Sequence, residues 1–412
     1  MTLAPAAYLT SSFLSLLGNA IAAIALPLIV LQTTGSALGA GVVAAATAMP
    51  AVLAGVFMGV VIDRIDRRTA SVLTDLVSAA SVAALPVVDL VTGLSLGWFV
   101  LLGVVGSLGD VPGMTAREAL LPAVVRHGGI SAERLVGLRE GLAAFALVVG
   151  PAVAGTLMTV FDGATVLWIT AATSLAAALT TLLLPRDVGA AVAEPQEVVG
   201  PRSATADLRE GLRTLARSPF LVAVTAVSTV SVLMLAAFQG LVLPVHFTLA
   251  GRPGLLGFVL TALAVGMLGG SAAYAVAGTG VSRARILLLG LLGTTLGFAV
   301  MATLAAPWVV FAGAFVVGAS SGLLNGSLTV LLMERIPDAA RGRVLGTQNA
   351  AATAAAPVGL VLAAVVTEYG GVQAAAVTLA ALWAVTALVA VRSRALRTLE
   401  PTVDRDEVTW DA

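Results

Sequence analysis

The chain has 412 residues, of which 59% are hydrophobic and only 11% charged, and its net charge is zero. A soluble domain carries roughly 25% charged residues, so this composition excludes a soluble globular protein, and the neutral balance gives no support for a nucleic-acid partner. The absence of cysteine excludes a disulfide framework and a thiolate metal site. All 22 basic residues are arginine, so a GxxxxGK[ST] phosphate loop and an ATPase built on it are excluded as well.

Long apolar segments recur along the whole chain. About 20 apolar residues suffice for a helix to cross the roughly 30 Å hydrocarbon core, whereas a membrane β-barrel would show alternating segments of about 10 residues. The segments do not alternate, so they predict an all-α membrane protein. The first seven residues carry no basic side chain, unlike a secretory signal, so the first segment is expected to be a retained helix. The twelve predicted spans are 8–31, 36–62, 69–90, 94–116, 133–160, 163–185, 219–247, 254–277, 284–305, 307–333, 342–367 and 371–392.

The arginines predict the orientation of these spans. All but Arg252 lie on, or beside, the longer charged connections of one side, and cytoplasmic loops carry such an excess. Both termini are therefore predicted to be cytoplasmic, in the plasma (inner) membrane. The longest connection divides the chain into residues 1–185, a linker 186–218, residues 219–392 and a tail 393–412. The linker ends in DLREGLRTLARSP, where arginines recur every four residues opposite leucines, which predicts an amphipathic helix on the membrane surface.

A weak internal repeat supports two halves of six spans. LLPAVVRHGGISAERLVG (120–137) resembles LLMERIPDAARGRVLG (331–346), and each piece leads into the span that follows it. Repeated halves around a midplane site are common in secondary transporters.

The connection after span 2 holds five charges in six residues, within GVVIDRIDRR (59–68). It resembles the G-x-x-x-D-R-x-G-R-R signature of major facilitator superfamily transporters, except that Asp66 stands at the second glycine. A carboxylate can complement the N-terminus of a neighbouring helix, and a glycine lets a second helix approach closely. The resemblance implies a conformational latch made by Gly59, Asp63, Arg64, Arg67 and Arg68. A plain positive-inside anchor would explain only the arginines.

Two further stretches carry the same resemblance. In span 5, GLREGLAAFALVVGPAVAG is similar to the glycine–proline motif of the drug/proton antiporters of the superfamily at Gly137, Gly150, Pro151 and Gly155, which is linked with export. A mid-span proline also kinks a helix whatever the function. At the end of span 4, GDVPGMTAREALLPAVV (109–125) resembles the branch with macrolide and siderophore exporters, as does LLGNAIAAIALPLIVLQTTGS in span 1.

Ionisable residues inside spans are costly and usually functional. Asp110, Asp75 and Glu140 are the candidates for proton coupling, and Arg117 is expected to be the charge partner of Asp110 on the same helix. The alternative is that Asp110 and Asp75 only pair with arginines of the latch. The family resemblance implies that spans 1, 4, 7 and 10 face a central cavity, with substrate contacts at Asn19, Gln239, Ser320 and Asn325.

Two patterns are set aside. GAGVVA (39–44) fits a dinucleotide fingerprint but lies inside an apolar span. His127 and His246 are far apart in sequence, so no metal site is predicted. No catalytic residues, metal or cofactor are expected, and energy would come from a proton gradient.

The expected function is proton-coupled efflux of hydrophobic or amphiphilic small molecules, such as antibiotics, by a major facilitator fold working as a monomer in the lipid bilayer. Uptake or exchange of a metabolite is the alternative within transport. A non-transporting receptor or scaffold that keeps the fold is the alternative outside it.

Overall fold

A computed structural model describes residues 3–47, 66–185, 188, 213, 215–216, 218–277, 281–335 and 338–393. Within these ranges the chain is helical and contains no strand. The helices, in chain order, are α1 (Leu3–Thr34), α2 (Ala37–Thr47), α3 (Arg67–Thr92), α4 (Leu96–Gly128), α5 (Ala132–Val160), α6 (Gly163–Thr181), α7 (Pro219–Leu249), α8 (Leu255–Ala277), α9 (Arg283–Ala302), α10 (Pro307–Arg335), α11 (Asp338–Gly370) and α12 (Val372–Arg392).

In the described part of the chain, ten of these helices are long and apolar enough to cross a membrane by length and composition. The described part of α2 and the apolar section of α4, Leu96–Gly109, are shorter. The prediction of an all-α, multi-pass membrane protein is therefore confirmed, while twelve crossings stay a prediction. The predicted latch residues Gly59, Asp63 and Arg64, and most of the predicted amphipathic helix, lie outside the described residues.

The predicted end of span 4 at residue 116 does not mark the end of its helix. Helix α4 continues to Gly128 and stops where Gly129 takes the left-handed conformation, with φ at +57°. The first residues past the predicted end, REALL (117–121), are good helix formers, so the charges at Arg117 and Glu118 do not interrupt the helix. The connection to α5 is consequently only three residues long, and Arg117 lies inside α4 rather than in a loop.

Short caps begin the helices at several turns. The side chain of Ser131 accepts the backbone N–H of Arg134 at the start of α5, and Asp162 accepts that of Thr165 at the start of α6. These contacts satisfy donors that the first turn of a helix leaves without an intrahelical partner. They show why such short connections suffice between long helices.

The helices alternate in direction, which gives the bundle two faces. Helices α1 and α6 run antiparallel, since Ser11 lies 2.5 Å from Thr181 near one end while Gly163 packs on Ile29 near the other. We call the end with the short connections the turn face; it holds residues 35–36, 93–95, 161–162, 250–254, 303–306 and 371. We call the opposite end the arginine face; among described residues it holds 66, 129–131, 182–185, 281–282 and 393.

Glycines let helices within each half approach backbone to backbone. An added Cβ at Gly109 of α4 would lie 2.9 Å from the carbonyl oxygen of Thr74 on α3, and one at Gly266 of α8 would lie 2.9 Å from the nitrogen of Ala319 on α10. Lipid provides little hydrophobic drive between helices, so close packing of small residues holds such bundles together. Each half is thereby a tightly packed unit.

The two halves meet in the part of the bundle nearer the turn face. Thr261 of α8 donates to the carbonyl oxygen of Val148 on α5, at 2.9 Å, and Leu38 of α2 donates its N–H to Glu368 of α11, at 3.3 Å. Helix α1 also contacts the end of α7 that approaches this face. These seams leave a cavity between the halves below the turn face.

Candidate substrate cavity and buried ion pair

A cavity of about 480 Å³ lies between the two halves. Its wall comes from α1, α2, α3 and α4 of the first half and from α7, α8 and α11 of the second. Among the described residues that line it, most are apolar and none carries a formal charge. The polar lining residues are Asn19, Thr47, Ser78, Ser81, Ser107 and Gln239. Ligand sites of this size are typically apolar with a few polar groups that orient the ligand.

A π-helical turn brings Gln239 to the cavity wall. Residues Phe238–Val242 form this turn within α7, and Gln239 and Gly240 both line the cavity. The turn is anchored from behind, because the ring of Phe238 stacks on Phe298 with centroids 5.3 Å apart, and Phe298 meets Trp383 at 5.9 Å. Single π turns often lie at functional sites. No feature of the sequence pattern indicated this one.

The other predicted contacts have different surroundings. Asn19 follows Gly18, whose Cβ position would lie 2.7 Å from Thr173 of α6, and Asn19 lines the cavity. Ser320 of α10 is buried against Gly293 of α9, and Asn325 is exposed. Neither Ser320 nor Asn325 is among the described lining residues, so Asn19 and Gln239 are the pair that the structure brings to one cavity.

A buried ion pair lies beside this cavity. Arg117 of α4 pairs with the carboxylate of Asp75 on α3, and Ser15 of α1 donates to Asp75 Oδ1 at 3.3 Å. Only 4% of Asp75 and 8% of Arg117 is exposed. Charges this deep need a partner and hydrogen bonds to offset their desolvation. The sequence identified Asp75 as an ionisable group within an apolar segment and Arg117 as the expected partner of Asp110, but it did not pair Asp75 with Arg117.

Close packing of α3 on α4 makes the pair possible. A Cβ at Gly113 would lie 2.7 Å from Thr74 Oγ1, so the glycine gives α3 the room to place Asp75 next to Arg117. A small polar pocket surrounds the pair and is lined by Ser15, Asn19, Thr74, Asp75, Gly109, Gly113 and Arg117. Asn19 thus lines both the polar pocket and the apolar cavity.

The remaining acidic candidates are placed differently. Glu140 of α5 is exposed and pairs with Arg139 at 3.1 Å, and Arg139 also binds Glu118 of α4 at 3.0 Å. Asp110 lies in α4, and its side chain is outside the described part of the structure. The described partner of Arg117 is Asp75, and the pairing of Arg117 with Asp110 stays a prediction.

Three charges of the latch sequence lie at the start of α3. Asp66 caps this helix by accepting the N–H of Thr69 at 2.7 Å, so the residue that departs from the family signature has a local role. Arg68 donates to the carbonyl oxygen of Leu182 at 2.7 Å, just past the last turn of α6, where a cation is favourable. Arg67 occupies the first turn of α3.

The span 5 motif lies largely at helix contacts. A Cβ at Gly150 would lie 2.6 Å from Ala20 Cβ on α1, and one at Gly155 would lie 3.0 Å from the Cα of Gly257 on α8. The carbonyl oxygen of Pro151 also faces Gly257. Gly137, by contrast, has open space around its Cβ position. The second part of the motif therefore forms the α5–α8 seam between the halves.

Two helical halves around a cavity whose described lining holds no charge are typical of a membrane transporter. The Major Facilitator Superfamily profile matches residues 8–283 and 225–409, and the chain belongs to this superfamily. The resemblance in the sequence motifs is therefore confirmed.

Curated relatives give the same class. The chain is 32% identical to the multidrug efflux pump Tap of Mycobacterium tuberculosis (strain ATCC 25618 / H37Rv), over 98% of this chain and 97% of the relative. It is 23% identical to macrolide efflux protein A of Streptococcus pyogenes, over 87% and 88%. The crystal structure of the nucleoside transporter NupG superposes with a TM-score of 0.74 at 16% identity, covering 95% of this chain and 98% of NupG, which shows the shared fold.

Proposed function

We propose that this chain exports hydrophobic or amphiphilic small molecules, including drugs, by alternating access of the cavity between its halves, driven by the proton gradient. The observation that carries the proposal is the cavity of about 480 Å³ whose described lining holds no charge. A phosphate or a sugar acid would lose its hydration there without gaining a charged partner. A molecule with a large apolar surface and one or two hydrogen-bonding groups fits this wall.

The relatives support export of drugs. Tap is named a multidrug efflux pump and the streptococcal protein a macrolide efflux protein, and both align with nearly the whole chain. Pro151 and Gly155 of the glycine–proline motif, which is linked with export in the family, lie at the seam between the halves. Together these observations favour export over uptake or exchange of a metabolite, and over a receptor or scaffold.

We extend the proposal to the arrangement in the membrane. The chain crosses the plasma membrane twelve times as two six-helix halves, with both termini and the 186–218 linker in the cytoplasm, and it works as a monomer without a cofactor or an ATPase domain. The arginine distribution supports this orientation. Single cysteines at Ser203 and Thr33 of the cysteine-free chain should react with an impermeant thiol reagent from opposite sides. Labelling of both from outside intact cells would overturn the orientation.

Asp75 is the proposed carrier of the coupled proton, in preference to Asp110 and Glu140. It is buried, it has one strong partner in Arg117, and Asn19 connects its pocket to the cavity. A carboxylate that exchanges partner, proton and water between two conformations changes its proton affinity with conformation. Glu140 is exposed beside Arg139, where the environment differs little from water.

The latch keeps a role in switching within this proposal. Arg68, bound to the end of α6, supports the part of the signature that anchors α3. Asp63, Arg64 and Gly59 belong to the same proposed latch and lie outside the described residues. Asp63→Asn should preserve membrane insertion, which depends on apolar length, and should remove most transport.

Transport into inverted membrane vesicles tests the proposal. We expect a radiolabelled macrolide to accumulate when the vesicle lumen is acidic and to leave when a protonophore collapses the gradient. Asp75→Asn should lose this uphill accumulation and retain exchange of labelled for unlabelled macrolide across the membrane, since exchange needs no net proton transfer.

The same experiment separates the alternatives. Accumulation only with an alkaline lumen would indicate uptake into cells, and no exchange by well-expressed protein with any compound of a chemically varied panel would indicate a receptor or scaffold. Uphill accumulation by Asp75→Asn equal to that of the wild type would exclude Asp75 as the proton carrier.

A further inference from the structure

Helix α11 presents a stripe of three residues toward the first half of the chain. Leu360, Ala364 and Glu368 follow one another at a spacing of four, so they lie on one side of the helix. The stripe runs from the cavity to the turn face, and each of its residues meets a different feature of α2 or α7.

Leu360 forms part of the cavity wall at the inner end of the stripe. It lines the cavity and is buried, and a Cβ at Gly240 of α7 would lie 2.5 Å from its Cδ2 atom. Because Gly240 has no side chain, Leu360 fits against the backbone of the π turn. The apolar wall is thereby continuous from α7 to α11.

Ala364 forms the middle layer against α2. The residue is completely buried, and the Cβ position of Gly41 on α2 falls inside van der Waals contact with the Cβ of Ala364. The backbone of α2 therefore rests on the methyl group of Ala364. Any side chain at Gly41 would have to push the two helices apart.

Glu368 forms the outer layer through a helix cap supplied by the other half. The first turn of α2 has N–H groups without intrahelical partners. Ser36 accepts the N–H of Gly39 at 3.0 Å, as a local cap does, whereas the N–H of Leu38 donates to Glu368 Oε2 at 3.3 Å. A carboxylate at a helix N-terminus also interacts favourably with the helix dipole.

We infer that the stripe of Leu360, Ala364 and Glu368 is the gate that closes the substrate cavity toward the turn face, and that the cap of Glu368 on α2 is its releasable lock. The inference rests on the alternating-access part of the proposed function. Leu360 and Ala364 exclude water from the cavity, while Glu368 holds the edge of the seam. The lock is exposed, so water replaces the carboxylate at Leu38 N–H when the halves separate, and release is easy.

Distances across the turn face test the lock. Spin labels on Val91→Cys at the end of α3 and Leu249→Cys at the end of α7 report the separation of the halves, since both positions are exposed and the chain has no other cysteine. In lipid nanodiscs, Glu368→Ala should raise the ratio of open to closed protein by about two- to fivefold. This change corresponds to the stabilisation that one charge typically gives to a helix end.

Asp162→Ala is the matched control for this measurement. Asp162 caps α6 on the same face at 3.0 Å, but cap and helix belong to one half. The spin-label distance distribution of Asp162→Ala should equal that of the protein without this substitution. An unchanged distribution in Glu368→Ala, or an equal shift in Asp162→Ala, would overturn the assignment of the lock.

A rescue experiment tests the middle layer. Gly41→Ala should shift the distances toward the open form, because its methyl group meets that of Ala364, and adding Ala364→Gly should restore the closed form by removing that clash. Open distances that persist in the double variant, or closed distances in Gly41→Ala, would contradict the gate. Both measurements need neither substrate nor a gradient. If the distances respond as expected in a protein that does not export, the proposed function is refuted and the gate is retained.

Discussion

Removal of one charge from the buried pair should destabilise the protein strongly. In Asp75→Asn, the amide keeps the volume and can still accept from Ser15, but Arg117 loses its counter-charge. Both side chains are almost fully buried, with 6% of Asp75 and 10% of Arg117 exposed, so solvent screens the loss very little. An arginine remains charged at any pH that the protein meets. We therefore expect a loss of about 3–5 kcal/mol in the free energy of unfolding.

The reciprocal variants sharpen this expectation. Arg117→Met leaves a carboxylate that a proton can neutralise, so its cost should be smaller than that of Asp75→Asn. The double variant Asp75→Asn/Arg117→Met leaves no buried charge, and replacing a whole buried pair is often close to neutral. The double variant should therefore be more stable than Asp75→Asn alone, which gives a favourable coupling energy between the two residues.

Equilibrium unfolding in mixed micelles, followed by circular dichroism, measures these differences. Arg139→Met provides the control, because Arg139 and its partner Glu118 are 25% and 58% exposed at the level of their side chains. An exposed pair of this kind contributes less than about 1 kcal/mol. The reasoning is refuted if Asp75→Asn unfolds within about 1 kcal/mol of the wild type, or if the double variant is no more stable than Asp75→Asn.

Two further predictions concern the α5–α8 seam and the cap of α6. Gly155→Ala should retain membrane insertion but lose most transport, because its Cβ would lie 3.0 Å from the Cα of Gly257 across the seam. Gly137→Ala has open space at its Cβ position and should transport normally. Equal effects of the two variants in transport assays would contradict this prediction. The hydrogen bonds from Thr165 hold the pKa of Asp162 below its usual value, so the stability due to this cap is present above the ordinary aspartate pKa of about 3.9 and is lost as pH falls through the lower folded value. The difference in unfolding midpoint between the wild type and Asp162→Asn should therefore shrink on acidification, and a difference that grows would refute the sign.

The membrane class and most helix boundaries could be predicted from the sequence. A helix that crosses the membrane needs about 20 apolar residues. The breaks between such apolar segments therefore mark the turns, as at Gly371 between α11 and α12. The end of α4 could not be predicted in the same way, because hydropathy marks the edge of the apolar segment and not the end of the helix. The charge of Arg117 indicates the end of an apolar span, yet Arg117 lies within a helix that continues to Gly128.

The partners of the candidate residues depend on packing that no local pattern encodes. Asp75 and Arg117 lie 42 positions apart, and their pairing needs Gly113 to bring α3 against α4. The contact between Leu38 and Glu368 joins residues 330 positions apart. Burial of charges in apolar segments was the available signal, and it identified Asp75 without identifying its partner.

The position of Asn19 gives the candidate site a physical route between substrate and charge. A molecule in the apolar cavity does not touch the Asp75–Arg117 pair directly, because the pair lines the polar pocket and not the cavity. Asn19 lines both spaces. Its side-chain amide can donate and accept hydrogen bonds at once. A substrate that hydrogen-bonds to Asn19 therefore changes which hydrogen bonds Asn19 can make with groups in the polar pocket.

This arrangement predicts that Asn19 governs coupling more than binding. Asn19→Leu keeps an apolar side chain at the wall and removes the amide that can donate and accept hydrogen bonds, so binding of a hydrophobic probe to the purified protein should change little, since most of the lining is apolar. The accumulation that an acidic lumen drives in inverted vesicles should become far smaller. Ser107→Ala is the matched control, because Ser107 lines the cavity but not the pocket of the pair. If both variants retained the wild-type dependence on the gradient, Asn19 would be an ordinary wall residue, and the ion pair would have to respond to substrate through movement of α3 and α4.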